Sequence, residues 1–528
     1  MTSPQGRMRP QHPAEHRVVD LLATFGLDVR GGDIAPSLSL TGVSVASGDV
    51  QPGDVFIALG GAHAHGATYA PEALAGGAVA VLTDERGAQI LADEPAAAGV
   101  PVLVAADPRA LAGPVAAWAY GHPAAGFVTV GVTGTNGKTT TTYFVDAALR
   151  TAHAVTVVMG TVELRIGDEA IESPRTTVEA PVVQSILALA HERGATACTM
   201  EVSSHALALG RVRGLELDVV GFTNLQRDHL DFHGDMDGYF HDKSRLFAPG
   251  QARRGVVVVD DAWGRRLVAE AQIPVESVAT HVGSPEGEAA DWAVTSADIG
   301  LDGVGSTFTL RGPDGTEHRA MSPLPGLVNV SNAALAVVLA HRAGIDLQVA
   351  IDAVGTAHAI PGRMERVVER GDGRPLGIVD YAHTPDALVL ALEAVRPITP
   401  GRLILVFGSD GDRDTGKRPI MGQIAARLAD VLVVTDENPR SEEPAAIRAE
   451  ILAGVRAERP GLADVHEATS RTQAIHDAFD LATDRDTIII TGKGHEPTQE
   501  IAGVFHRYND RDVLRAADAR RASQGSPA

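Results

Sequence analysis

The chain has 528 residues, which at roughly 150 residues per domain corresponds to three or four domains. Its 44% hydrophobic and 21% charged residues are ordinary globular composition and exclude collagen-like, low-complexity and mostly disordered classes. With 45 basic against 67 acidic side chains the net charge is −22, so the body of the molecule is a poor general partner for nucleic acid or anionic lipid. An anionic substrate must find a local basic cluster instead. The single cysteine, Cys198, excludes an intramolecular disulfide and a Cys-based zinc site, fits a reducing compartment, and reads as a small buried hydrophobe in mid-strand. No run approaches the roughly 18 apolar residues that span a bilayer. The opening MTSPQGRMRPQHPAEHR lacks the apolar stretch of a secretory signal, and both it and the closing RRASQGSPA read as frayed tails. The expectation is a soluble cytoplasmic protein with no membrane insertion.

In chain order, residues 1–125 read as a mixed α/β domain in which VFIALGGAHAHGATYAPEALAGGAVAVLTDE (55–85) runs strand, Gly-rich loop, helix, strand. From 126 to 358 apolar runs of strand length alternate with helical periods: GFVTVGV (126–132), VTVVMG (155–160), the helical VVQSILALAHE (182–192), TACTMEV (196–202), DVVGFTN (218–224) and GVVVVD (255–260). Short Val/Ile-rich runs separated by helices predict a parallel sheet covered on both faces. A more strand-rich stretch lies near 290–325. A second series fills 359–528, with strands PLGIVDYA (375–382), RLILVFG (402–408), VLVVTD (431–436) and DTIIITGKG (486–494) and helices near 384–396, 417–429, 444–457 and 510–521. The fold class is α/β with three domains, the last two doubly wound.

The strongest local signal is GVTGTNGKTTTT (131–142), after a strand and opening a helix. The backbone N–H groups of such a turn, with the helix N-terminus, make an anion site suited to phosphates. Lys138 reaches toward β/γ-phosphates and Thr139 suits Mg²⁺. The strict phosphate-loop spacing would need glycine at 132, which is Val132; the glycines fall at 131, 134 and 137. MEVSSHALALGRV (200–212) puts Glu201 at the carboxyl end of a strand, where open sheets bind ligands and where a carboxylate suits Mg²⁺. FTNLQRDHLDFHGD (222–235) follows the next strand with Asp228, His229, Asp231 and His233. A solvated polar loop is the plainer reading of either segment taken alone.

GTNGKTT, MEVSSHAL, FTNLQRDHLDFHGDM, Lys243 of YFHDKSRLF, PGRMERV, DYAHTPDAL, GDRDTGKRP, NPRSEEP and GKGHE occur in the order found in the Mur ligases, which the chain resembles from about 45 to 515. The resemblance is to the branch that adds the third residue of the peptidoglycan stem peptide. It implies a uridine-binding first domain, a central phosphate-loop ATPase domain and a C-terminal Rossmann-like domain. It also implies a reaction: ATP phosphorylates the D-Glu carboxylate of UDP-MurNAc-L-Ala-D-Glu, and an amine of a diamino acid attacks the acyl phosphate. Gly134, Thr135, Asn136, Gly137, Lys138, Thr139 and Thr140, with Asn332, Arg363 and His383, are implied for ATP. Thr139, Glu201, His229 and Lys243 are implied to hold two Mg²⁺ ions, Lys243 after carbamylation by CO₂. That step needs a neutral amine, hence burial or nearby cations. On its own residues Lys243 would read as a helix-surface lysine paired with Asp242 or Asp237. Catalysis would rest on Lys138, Glu201, His229 and Lys243, with ATP sandwiched between domains in a monomer.

For UDP-MurNAc-dipeptide the resemblance points to Ser47, His63, Thr176, Thr177, Ser204 and Arg211. The sequence departs from the family with Ala46-Ser47-Gly48 in place of Asp-Ser-Arg, Val178 in place of Pro and Gln226 in place of Ser. For the diamino acid it points to Arg413, Asn438, Arg440, Gly492 and Glu496. Arginine suits a carboxylate, so Arg440 favours diaminopimelate over lysine or ornithine. Glu437 stands at a usual Asp, and Ser409-Asp410 replace a small pair beside Arg413. Other readings are lysine or ornithine as acceptor, a folylpolyglutamate-type ligase, and a nucleotide-binding scaffold without turnover.

Overall fold

The computed structural model describes residues 3–61, 63–300 and 305–524. They form two compact units, one holding residues up to Ala279 with 288–292 and 335–353, the other 280–287, 293–334 and the chain from Val354. In the first unit, a five-stranded sheet has the order Asp28–Arg30, Val102–Val104, Ala80–Thr83, Asp54–Ile57, Gly42–Ser44, parallel apart from its first pair. Alternate side chains point to opposite faces, and both faces are buried. Val55, Ile57 and Leu82 pack with Val18, Leu21, Val115 and Ala116, whereas Phe56 and Val81 pack with Ala70, Ala73, Ala88 and Leu91.

The N-terminal segment, expected to fray, is tied down. Ser3 donates through its backbone N and Oγ to Asp49 at 2.7 and 2.8 Å, and Arg9 pairs with Asp54 at 2.6 Å. Met8 is buried in the central core, its carbonyl accepts from Ser185 Oγ at 3.1 Å, and the Gln11 and His12 amides donate to Glu192 at 2.7 and 2.8 Å. All these partners are distant in sequence, so the local composition carried no sign of them. At the other end the helix Asp510–Gln524 runs through the first part of RRASQGSPA. Residues 1, 2 and 525–528 of the two tails lie outside the described residues.

The second sheet of this unit runs Glu169–Glu172, Glu163–Ile166, Thr156–Met159, Ala197–Glu201, Val128–Thr133, Leu217–Phe222, Ala252–Val258, Val275–Ala279. From Thr156–Met159 onward its strands are parallel, with a hairpin at the edge. The chain enters at Val128–Thr133, fills one side, then fills the other. That reversal puts the topological switch point at the carboxyl end of Val128–Thr133, where open α/β sheets take their ligands. Cys198 lies in this sheet's core, 1% exposed, and burial pushes its thiol up.

In the second unit, an antiparallel ribbon pairs 293–299 with Ser306–Arg311 and then Glu317–Ser322, the strand-rich stretch expected near 290–325. The other sheet runs Glu365–Val368, Leu376–Val379, Thr487–Ile490, Leu403–Phe407, Val431–Val434, Val465–Glu467, parallel after its first pair. Four of its helices begin and end close to expectation, at Pro385–Val395, Lys417–Leu428, Pro444–Glu458 and Asp510–Gln524. The helix Arg471–Leu481 was not anticipated; only Ala474, Ile475, Ala478 and Phe479 mark its buried face, and Ser470 caps it. Arg471 is fully buried and meets both Asp510 oxygens at 2.8 Å, an ion pair that joins the starts of two helices. No helix among the described residues is long and apolar enough to cross a membrane.

Candidate active site

Gly134–Gly137 leaves the switch-point strand and enters the helix Lys138–Leu149. Gly134 has φ 142°, and a Cβ there would sit 1.8 Å from Thr223 Oγ1, so only glycine fits. The segment after the neighbouring strand holds the loop in shape. Thr135 N donates to Asn224 O at 2.9 Å, Asn136 N to Asn224 Oδ1 at 3.0 Å, Thr223 Oγ1 to Asn136 O at 2.6 Å, and Asn136 Nδ2 to Gln226 Oε1 at 2.6 Å. Gly137 takes the left-handed conformation just before the helix, and Thr139 and Thr140 are buried in its first turn. Lys138 Nζ folds back to Gly134 O at 3.1 Å and Thr135 O at 2.9 Å. Val132, where the strict spacing asked for glycine, is a buried strand residue.

Glu201 ends the adjacent strand and is 1% exposed. Its oxygens accept from Thr139 Oγ1 at 3.0 Å each, and from Thr161 N at 2.7 Å and Thr161 Oγ1 at 3.0 Å. A Cβ at Gly160 would approach Glu201 Oε1 to 2.4 Å, so this glycine makes room for the carboxylate. Sequence reasoning missed Thr161; its one signal is a Gly-Thr pair directly after the strand Thr156–Met159.

Lys243, on the helix Met236–Ser244, is buried rather than on the helix surface. Its Nζ donates to Gly134 O at 2.8 Å and lies 4.6 Å from the Tyr239 ring centre. Asp237 pairs instead with Arg266, and Asp242 with His233 and Arg245. Burial, and then the charge of Lys138, lower the Lys243 amine well below the usual lysine value. His229, 46% exposed, lies 3.4 Å from Asp228 and packs against His205 and Tyr239. Loss of hydration on its packed side, then the charges of His205, Lys138 and Lys243, outweigh Asp228 and bring it down to about 4. It is therefore neutral, with a lone pair to offer, at physiological pH. Lys138, Glu201, His229 and Lys243 thus gather at three neighbouring strand ends.

Of the residues expected at the sugar-nucleotide substrate, Thr176 Oγ1 accepts from Thr161 at 3.1 Å, and Thr177 Oγ1 donates to Glu201 O at 2.9 Å. Arg211 donates to Thr177 O at 3.3 Å and pairs with Glu179 at 3.0 Å. Ser204 Oγ lies 2.9 Å from His233 Nε2, and His233 Nδ1 2.8 Å from Asp242 Oδ2. Ser204, His233 and Asp242 thus form a part-buried hydrogen-bonded chain, an arrangement that the naming of His233 in its polar loop did not show. Ser47 and His63 follow two adjacent parallel strands of the first sheet; Ser47 donates to Glu72 at 2.5 Å and His63 is exposed.

In the second unit His383, Arg413, Asn438, Arg440, Gly492 and Glu496 follow four neighbouring strand ends, whereas Arg363 precedes the edge strand Glu365–Val368 and Asn332 lies on the helix Leu327–Arg342. Arg363 lies 4.3 Å over the Tyr381 ring, His383 Nδ1 is 2.9 Å from Tyr381 O, and Asn332 donates to Asn329 Oδ1 at 3.2 Å. Lys493, fully buried, donates to Asn438 Oδ1 and Glu496 Oε2 at 2.8 Å each, and Asn438 Nδ2 donates to the same Glu496 oxygen at 3.0 Å. Gly492 has φ 111°, and a Cβ there would meet Glu437 Oε2 at 2.5 Å. Arg413 is exposed. Asp410, expected to act on Arg413, pairs instead with Arg440 at 3.6 Å, because the Asn438–Arg440 turn crosses the Ser409–Arg413 loop, where Gly411 N donates to Asn438 O at 2.9 Å.

Glu437 is 2% exposed, and burial followed by the charge of Asp410 pushes its carboxyl up to about 8. A raised carboxyl stabilises the fold below its unfolded value and loses that contribution as pH climbs through the folded value. Glu437→Gln carries no proton to lose. In thermal melts from pH 5 to pH 9 the variant should gain on the unaltered protein as pH rises; parallel curves would show that Glu437 does not titrate in this window.

A phosphate loop at one sheet's switch point, with a second doubly wound sheet presenting charged side chains at its strand ends, is the organisation of an ATP-dependent amide-forming ligase. Family models agree along most of the chain: the Mur ligase family catalytic domain matches 39–117, the Mur ligase middle domain 132–340, and the Mur ligase glutamate ligase domain 362–494. The chain belongs to the Mur ligase family, with its three-domain α/β architecture. It is 46% identical over 522 residues to the UDP-N-acetylmuramoyl-L-alanyl-D-glutamate–2,6-diaminopimelate ligase of Streptomyces coelicolor, covering 98% of this chain and 99% of the relative. To the UDP-N-acetylmuramyl-tripeptide synthetase of Leifsonia xyli subsp. xyli it is 45% identical over 526 residues, covering 98% and 99%. A solved UDP-N-acetylmuramoyl-L-alanyl-D-glutamate–2,6-diaminopimelate ligase superposes with a TM-score of 0.62 at 32% identity, covering 92% of this chain and 96% of that one.

Proposed function

We propose that the chain joins a diamino acid, diaminopimelate, to the D-Glu of UDP-MurNAc-L-Ala-D-Glu at the expense of ATP, in peptidoglycan precursor synthesis. The observation that carries this is the convergence of Lys138 and Lys243 on one carbonyl, Gly134 O, at 3.1 and 2.8 Å, in a chain similar over nearly its whole length to ligases of that name. A carboxylate resists attack by an amine, and phosphorylation turns one of its oxygens into a leaving group. The γ-phosphoryl in flight needs charge stabilisation more than covalent help. Loop amides, the helix N-terminus and Lys138 supply it. The amine then attacks the acyl carbon, phosphate departs, and the amide forms.

The chemistry of the donors fits Mg²⁺. Thr139 and Glu201 offer a hydroxyl and a carboxylate in contact, and the ion takes its other ligands from phosphate and water, so no ready cage of three acidic or imidazole groups is needed; none is found among the described residues. Bound there, Mg²⁺ would draw charge off the transferring phosphoryl group. A second ion would need Lys243 as a carbamate, and its buried, weakly basic amine suits reaction with CO₂; His229 offers the neutral imidazole. Asn332, Arg363 and His383 serve the nucleotide. Ser47, His63, Thr176, Thr177, Ser204 and Arg211 serve the UDP-linked substrate, and Arg413, Asn438, Arg440, Gly492 and Glu496 the incoming amino acid. The domains span 1–125, 126–358 and 359–528 in a cytoplasmic monomer. The test is phosphate release with UDP-MurNAc-L-Ala-D-Glu, ATP and Mg²⁺, with and without diaminopimelate. Amine-dependent release with tripeptide formation is expected; no release with any diamino acid would leave a nucleotide-binding scaffold.

A further inference from the structure

The amino-acid end of the second unit is more acidic than its arginines suggest. Arg440 Nη2 lies 3.6 Å from Asp410 Oδ2, with the two side chains 26% and 16% exposed. Lys493 is committed to Glu496 and Asn438, and Arg471 to Asp510. Each of these cations thus faces a carboxylate, with Arg440 Nε and Arg471 Nη1 left without an acceptor among the described residues, and carboxylate oxygens of the same cluster are left over as well. Among the described residues Asp410 Oδ1 and Glu437 Oε2 are buried without a hydrogen-bond donor, as is Ser409 Oγ. Glu437 is 2% exposed, and Asp410 is the charged neighbour that acts on it most strongly. Buried acceptors without donors are costly, and the complement they lack is an N–H-bearing cation.

We propose that Asp410, seconded by Glu437, is a specificity-determining residue that holds the far ammonium of the acceptor and keeps Arg440 partly neutralised, so that the enzyme also ligates diamino acids with a single carboxylate. This rests on the ligase reading above. Without Asp410, the Arg440 guanidinium would select for a second carboxylate and repel an ammonium, favouring diaminopimelate alone. With it, Arg440 has a partner when the acceptor ends in an amine, and the empty oxygens receive that amine. Exposed Arg413 remains for the α-carboxylate that every such acceptor carries. Diaminopimelate, whose far end bears both an ammonium and a carboxylate, is still accommodated, because the 3.6 Å pair is long and opens without breaking a close hydrogen bond.

The experiment measures kcat/KM for meso-diaminopimelate, L-lysine and L-ornithine, with ATP and UDP-MurNAc-L-Ala-D-Glu, read as phosphate release and tripeptide mass. The unaltered protein should use lysine or ornithine within about tenfold of diaminopimelate, and Asp410→Asn should cut that ratio by about tenfold or more, the worth of one charged contact. Glu437→Gln should move the ratio in the same direction by less. Turnover with diaminopimelate but about a hundredfold poorer use of both monocarboxylic acceptors would overturn the inference and leave the ligase reading intact. So would an Asp410→Asn ratio equal to that of the unaltered protein. The panel on the unaltered protein decides the first point even if a variant fails to fold. Failure of every amine would remove the ligase reading itself.

Discussion

Lys243→Ala should lower kcat by about a thousandfold while the protein stays folded, the scale of loss expected when one group stabilising transition-state charge is removed. An ammonium held in a buried site beside a second ammonium is unfavourable, so the amine gives up its proton more readily, and on the proposed reading the neutral amine would add to CO₂. The carbamate so formed would be an anionic oxygen donor in place of a cation. Two measurements separate this role from mere packing. The unaltered enzyme should lose activity in CO₂-depleted buffer and regain it with bicarbonate, whereas the variant should respond to neither. Thermal stability should fall only modestly, the cavity left by the side chain being offset in part because no amine is held in a site that disfavours its charge. A variant within about tenfold of the parent, or a parent indifferent to CO₂, would show that Lys243 acts only as a strut for the Gly134 carbonyl.

Glu201→Gln should cost about a hundredfold to a thousandfold in kcat and displace the Mg²⁺ dependence to higher concentration. The substitution keeps the shape and removes the charge. It also replaces one carboxylate oxygen by an NH₂, which the Thr139 hydroxyl can accept by turning but which cannot face the Thr161 amide N–H, where only an acceptor fits at 2.7 Å. Half-maximal Mg²⁺ separates the two possible roles. A carboxylate that serves the ion moves that midpoint, while one that merely ties Thr161 to Thr139 lowers kcat at every Mg²⁺ concentration alike. An unmoved midpoint would assign Glu201 to the second role.

Much of the central site was legible because its residues are sequence-local to strand ends. The loop 134–137 follows its strand directly, Glu201 closes the next strand, and Thr223–His229 follow the third; period and glycine spacing place each without knowledge of the packing. What long-range packing decides was not legible. Nothing in YFHDKSRLF shows that Lys243 turns inward to a carbonyl more than a hundred positions earlier, and on the residues alone a surface partnership with Asp237 or Asp242 was the better expectation. Asp410 was seen as a departure beside Arg413, but its pairing with Arg440 depends on how two loops cross. Thr161 was passed over, and His233 was named only as one polar residue of its loop, because small hydroxyls and loop histidines are common and only contact with Glu201 or Ser204 sets them apart. The helix Arg471–Leu481 escaped because its apolar stripe is only four residues, and its first residue is a fully buried arginine.

The anchored residues near the start of the chain bear on how this protein is handled. Ser3 and Arg9 grip Asp49 and Asp54 on the first sheet, while Met8, Gln11 and His12 grip the helix Ala180–Glu192 or the core beneath it. That short strap is a clasp between the five-stranded sheet and the layer that packs on the central sheet. Trimming it, or fusing a purification handle against it, would loosen the seating of one layer on the other without touching any residue of the phosphate-loop site. A handle belongs at the opposite terminus.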